Sequence, residues 1–180
     1  KGVGAIYIRK GTRIMPLMDG GGHEKGKRSG TYNTPGIVGL GKASFLAISE
    51  LDKRMSQTAK LRDKIIDGVI SEIPYVILNG DRENRLPGNA NFSIKYIEGE
   101  SLILLLDAEG FAVSTGSACS SHSLKISHVL SAIGLDPVDA QGSLRITLGL
   151  DNTEKEVDKF LEVLPEIVLK LRKISPLYKE

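Results

Sequence analysis

The sequence predicts an α/β chain in which a helical first part leads into a smaller α+β lobe. Three observations carry this expectation. Apolar residues recur at three and four positions over the stretch from Ile37 to Ile70, the spacing of a helix with one buried face. From Tyr75 onward, short runs of β-forming residues alternate with short apolar helical patterns. The chain then closes on a strongly amphipathic stretch, with Val157, Phe160, Leu161, Leu164, Ile167, Val168, Leu171 and Ile174 on one face. Interleaved strands and helices of this kind fit a sheet covered on one face by helices. The division is expected at 1–70 and 71–180.

The elements follow in order. The opening "KGVGAIYIRKG" predicts a strand through Ile6, Tyr7 and Ile8, with Gly11 as a turn. A chain that starts inside an element is expected to be the C-terminal piece of a longer polypeptide. The Gly-rich, basic segment "MPLMDGGGHEKGKRSGTYNTP" leads to a helix start, with Thr34 as N-cap and Pro35 in the first helical position. The helical pattern then continues to Pro74 as one helix, or two in line, of about 35 residues and roughly 50 Å. "YVILNG" and "NFSIKYIEG" predict two strands, "ESLILLLDAEG" a helix closed by Gly110, and "FAVST" a third strand. "SHVLSAIG" predicts a brief helix and "GSLRITLG" a fourth strand. Thr153 and Glu156 have capping-box spacing before the last helix, where Pro165 predicts a kink.

Composition narrows the function. Hydrophobic residues at 41% and charged residues at 26% are those of a soluble globular chain. A net charge of +2 argues against nucleic acid or an anionic membrane surface as partner. No apolar run approaches the roughly 20 residues of a membrane span. A single cysteine excludes an internal disulfide and a cysteine-based zinc site, and it suits a reducing compartment such as the cytoplasm.

That cysteine is the first candidate for chemistry. Cys119 lies in "STGSACSS", a run of small and polar residues with no apolar period, which predicts an accessible loop. It is either a nucleophile or sulfur carrier, or a harmless loop thiol, and spacing alone leaves both open. His122, Lys125 and His128 are near enough in sequence to favour a thiolate. The second candidate is the anion-binding character of Ser29, Gly30 and Thr31 just before a helix start, with Gly20 to Gly22 upstream. This is neither a Walker loop nor a dinucleotide fingerprint, so a solvated surface loop is the competing reading. The third is Arg145, flanked by Leu144 and Ile146 in a strand. It is either a bidentate clamp for a carboxylate or a strand-edge arginine in water. His23 lies in the Gly-rich loop, where it can stack on or hydrogen-bond a ligand. Three scattered histidines and one cysteine lack metal-ligand spacing.

Taken together and in this order, "GGGHEKGKRSGT", "STGSACSS" followed by "SHVLSAIGL", and "SLRITLG" resemble the cysteine desulfurases of the NifS/IscS type, in the class V aminotransferase family. The resemblance covers essentially the whole chain, and its hallmarks are the Arg-Ser-Gly-Thr segment and the Gly-Ser-Ala-Cys-Ser loop. It implies the pyridoxal-phosphate-dependent fold type I, a homodimer, and an enzyme that takes sulfur from L-cysteine. Residues 1–70 would be the tail of the large, cofactor-binding domain, and 71–180 the small C-terminal domain carrying the cysteine loop. The Schiff-base lysine would lie just before Lys1, outside this segment. Cys119 would attack the substrate sulfur and leave as a persulfide, Thr31 would bind the cofactor phosphate of the partner subunit, and Arg145 would clamp the substrate carboxylate. His23 departs from the family pattern, which more usually has Gln there. The sulfur would pass to an iron–sulfur scaffold or another acceptor protein, and Cys119 is also a candidate ligand of a [2Fe-2S] cluster shared with that scaffold. A non-catalytic sulfur carrier and a selenocysteine lyase are the alternatives.

Overall fold

The structure, a computed structural model of the chain, describes residues 2–115 and 127–178. It divides into two compact units, Lys1–Leu51 and Asp52–Glu180.

In the first unit, residues 2–22 have no regular secondary structure. The expected strand at Ile6–Ile8 is absent: among the described residues nothing pairs with it, and Ile6 and Tyr7 are exposed. β-Propensity expresses itself only where a neighbouring strand supplies the ladder. A single turn, α1 (His23–Gly26), follows, with Glu24 (φ 52, ψ 44) and Lys25 (φ 59, ψ 39) in the left-handed region. Helix α2 (Thr34–Ser49) starts one residue earlier than expected. Its N-cap is Asn33, whose side chain accepts from Gly36 N, with Pro35 in the first turn. No residue of α2 is buried, although its sequence is apolar on nearly every side.

In the second unit, the helical pattern resumes as α3 (Leu51–Glu72) after a break at Glu50 (φ −110, ψ 5). Strands β1 (Val76–Leu78), β2 (Asn89–Ile94) and β3 (Ser143–Thr147) form an antiparallel sheet in that order. Between β2 and β3 run α4 (Gly99–Ala108), α5 (His128–Ala132) and α6 (Pro137–Gln141). The chain ends on α7 (Glu154–Ile174), opened by the expected capping box of Thr153 and Glu156. The helix runs continuously through Pro165.

One sheet face is apolar and closed. Ala90, Phe92 and Ile94 of β2 and Leu144 of β3 are fully buried, with Ile146 beside them. In the same core lie Leu61, Ile65, Ile66 and Val69 of α3, Leu102 and Leu106 of α4, and the apolar stripe of α7. A hydrophobic helix stripe must bury itself against another element, and here the sheet and three helices do so together. The expected strand "FAVST" does not form. Phe111 and Val113 pack against the core, Phe111 edge-on to Phe160 at 5.4 Å, and only Ser114 pairs with the sheet. At the start of β3, Ile94 N donates to Gly142 O at 2.9 Å. A Cβ on Gly142 would stand 2.0 Å from the carbonyl oxygen of Ile94, so only glycine fits. Asp136 caps α6 through Val138 N and Pro137 follows it, a helix-start signal that the sequence carries but that the periodicity of apolar residues does not reveal.

Candidate active site

Arg145 sits in the middle of β3 with its flanking residues turned into the core, Leu144 at 0% and Ile146 at 6% exposure. Alternation along the strand therefore turns Arg145 to the opposite, polar face, where it is exposed. The arginine thus reaches water from a paired strand, a placement open to either sequence reading. Among the described residues no carboxylate forms an ion pair with it.

The same strand receives the segment that leads to the cysteine. Arg145 N donates to Ser114 O at 2.6 Å, and Ser114 N donates to Arg145 O at 3.2 Å. Ser114 Oγ donates to the carbonyl of Thr115 at 3.0 Å. Cys119 is five positions further along the sequence. Cys119, His122 and Lys125 lie outside the described residues, while His128 opens α5 on the surface.

The polar face holds an amide network that the sequence reading did not single out. Asn79, 7% exposed, donates from Nδ2 to Asn91 Oδ1 at 2.7 Å and to Ser93 Oγ at 2.9 Å. Its backbone N donates to Asn91 O at 2.8 Å. Arg85 holds the turn beyond β1 in place, donating to the carbonyls of Asp81 (2.6 Å), Asn79 (3.0 Å) and Asn89 (3.4 Å). Burial, and then the nearby Arg62 guanidinium, push the Arg85 group down from its usual value. The available signal was the polar–apolar alternation of Asn89 to Ile94, which sets Asn89, Asn91 and Ser93 on one face.

Thr31 belongs to the first unit. It is exposed, three residues ahead of α2, and its carbonyl accepts from Arg28 Nη1 at 2.9 Å. Gly30 takes φ +92, and its carbonyl accepts from the same guanidinium at 2.5 Å. Arg28 thus folds back on its own loop and fixes the backbone that presents Thr31. His23 packs edge-on against Tyr32 at 5.0 Å, and the Tyr32 hydroxyl accepts from Glu24 N at 3.3 Å. Among the described residues there is no group of three or more His, Cys, Asp or Glu side chains that could hold a metal ion.

A small antiparallel sheet with its helices on one face, an outward arginine, and a hydroxyl ahead of a helix start are the parts of a known architecture. The model of the class-V aminotransferase family matches residues 1–160, and the chain belongs to that family. Its fold is the expected one, the pyridoxal-phosphate fold type I, shared with solved relatives.

Among curated proteins, the chain is 57% identical over 180 residues to the cysteine desulfurase IscS of Dictyoglomus turgidum, covering 100% of this chain and 45% of that protein. It is 54% identical over 177 residues to the cysteine desulfurase IscS of Methanosarcina thermophila, covering 98% and 44%. A solved NifS-like protein superposes with a TM-score of 0.79 at 41% identity, over 92% of this chain and 42% of that one. A NifS-like protein from Rickettsia africae gives 0.74 at 29% identity, over 87% and 40%. The chain therefore spans less than half the length of these relatives.

Proposed function

We propose that this chain supplies the C-terminal part of a pyridoxal-phosphate cysteine desulfurase, a homodimer working in the cytoplasm and feeding sulfur to iron–sulfur cluster assembly. The observation that carries the reading is the two-way backbone pairing of Ser114 with Arg145, which anchors the segment leading to the only cysteine beside an exposed cation. In this reading residues 1–70 end the large domain and 71–180 form the small one, with α3 as the connecting helix that packs into the core of 71–180.

The residues fit the cofactor's phosphate. Thr31 offers an exposed hydroxyl just ahead of a 16-residue helix, whose N-terminus favours an anion. Thr31 would hold the phosphate of the partner subunit's cofactor. The bound cofactor supplies an electron sink for the substrate carbon.

The chain's own residues do the rest. Arg145 binds the substrate carboxylate through charge-assisted hydrogen bonds and so orients the amino acid. The Cys119 thiolate attacks the substrate sulfur. An S–S bond forms, the Cβ–S bond breaks with its electron pair left on carbon, and a proton delivered there completes alanine. L-Cysteine and one enzyme thiol thus become L-alanine and one enzyme persulfide, with no external oxidant or reductant. An acceptor thiol or scaffold then takes the outer sulfur. A [2Fe-2S] cluster shared with the scaffold through the Cys119 thiolate belongs to the same reading.

The test is Cys119→Ser in the complete enzyme. It is expected to abolish sulfide release from L-cysteine while the cofactor absorbance stays unchanged. Cysteine-dependent sulfide release surviving in that variant would overturn the assignment.

A further inference from the structure

We propose that Asn91 supplies a second hydrogen-bond donor to the carboxylate bound by Arg145, and that Asn79 is the positioning residue that orients it. The proposal rests on the reading of Arg145 as the carboxylate clamp.

The backbone geometry comes first. In an antiparallel sheet, a residue's N–H and C=O point to the same strand edge. Both groups of Arg145 are engaged by Ser114, so neither points at β2. On β2, Asn91 is the register partner of Arg145, and its carbonyl accepts from Asn79 N on the side of β1. Asn91 and Arg145 therefore form a non-hydrogen-bonded pair, the type that brings Cα atoms to about 4.5 Å and Cβ atoms to about 4.5–5.5 Å. Their side chains are direct neighbours on the polar face.

The amide orientation comes second. Asn91 Oδ1 accepts from Asn79 Nδ2 at 2.7 Å, and the buried Asn79 is fixed in turn by Ser93 Oγ at 2.9 Å. An amide is planar, with oxygen and nitrogen on opposite sides. With Oδ1 drawn toward β1, the Asn91 NH2 group faces β3 and Arg145. A guanidinium has only donors, so the NH2 group cannot bond to it. Two sets of donors side by side present a matched pair of contacts, and a carboxylate with two acceptor oxygens fits them.

The experiment uses the complete holoenzyme and two ligands, L-cysteine and cysteamine, which differ by the carboxylate alone. Equilibrium affinity is read from the cofactor absorbance, and KM and kcat from steady-state turnover of L-cysteine. Asn91→Ala is expected to weaken L-cysteine about 10-fold, the scale of one charge-assisted hydrogen bond, to raise KM alike, and to leave cysteamine affinity and kcat within about 2-fold. Asn79→Ala is expected to weaken L-cysteine about 3-fold, and the double variant to be no worse than Asn91→Ala. Asn91→Ser gives the same comparison should the alanine variant not fold.

Equal effects on both ligands, or no effect on either, would overturn the role of Asn91. Arg145→Ala, measured in parallel, separates the two claims. If that variant does not discriminate between the ligands, the clamp itself fails. If it does while Asn91→Ala does not, only the second donor fails.

Discussion

Arg172 is 3% exposed, and among the described residues no carboxylate faces it. Its Nη2 donates to Pro74 O at 2.6 Å and its Nε to Lys95 O at 3.3 Å. The rings of Tyr178 and Tyr75 stand 5.4 and 5.7 Å from the guanidinium carbon, so aromatic faces take the place of a counter-ion. Burial pushes the group down from its usual value, yet an arginine remains charged. Arg172→Met keeps much of the side-chain length but leaves two carbonyls without their donor. It is expected to cost about 2–3 kcal/mol, read as a lower urea midpoint at unchanged slope. An unaltered midpoint would show that water replaces the guanidinium without cost. None of this was legible in the sequence, because Arg172 and Pro74 stand 98 positions apart. The direction of Arg145 was legible, because its immediate neighbours decide it. The amide pair of Asn79 and Asn91 was not, since it depends on which strands become neighbours.

Elements were legible in proportion to how local their causes are. The capping box at α7 is a four-residue signal and formed as expected. Of the two unformed strands, the one at 6–8 has no partner among the described residues, and the one at 111–115 is reduced to the single bridge of Ser114 with Arg145. The break at Glu50 gives two helices, one of the two expected arrangements, and its position was not legible because apolar spacing continues across it. The α7 cap also makes a pH prediction. Glu156 Oε2 accepts from Thr153 N at 2.7 Å, and this backbone hydrogen bond, followed by that of the Thr153 hydroxyl, holds the carboxyl below its usual 4.5. A carboxyl lowered in the folded state contributes stability above its unfolded value and loses it as pH falls through the folded one. Glu156→Gln keeps a capping side chain and cannot titrate. Its stability deficit relative to the parent is therefore expected at neutral pH and to shrink as pH drops below about 4.5. A deficit that stays constant through acid titration would refute the link.

At the scale of the molecule, the two units differ in kind. The unit Asp52–Glu180 encloses the whole described core, from Leu61 to Leu171. Helix α2 in the other unit buries nothing, with Val38, Phe45 and Ile48 each more than 60% exposed. An all-round apolar helix belongs inside a larger assembly. Residues 52–180 expressed alone are accordingly expected to unfold in one cooperative transition, with calorimetric and van't Hoff enthalpies equal. A broad, non-cooperative melt would show that this core depends on residues 1–51.

The glycine at 142 has a consequence for the arginine three places on. Strand side chains alternate with period two, so a slip of β3 by one residue would drive the Arg145 guanidinium into the apolar layer and expel Leu144. The backbone of Ile94 abuts Gly142 so closely that the chain has a mechanical stop there, like a tooth seated in a notch. A residue with no side chain thereby keeps that charge on the polar face of the sheet.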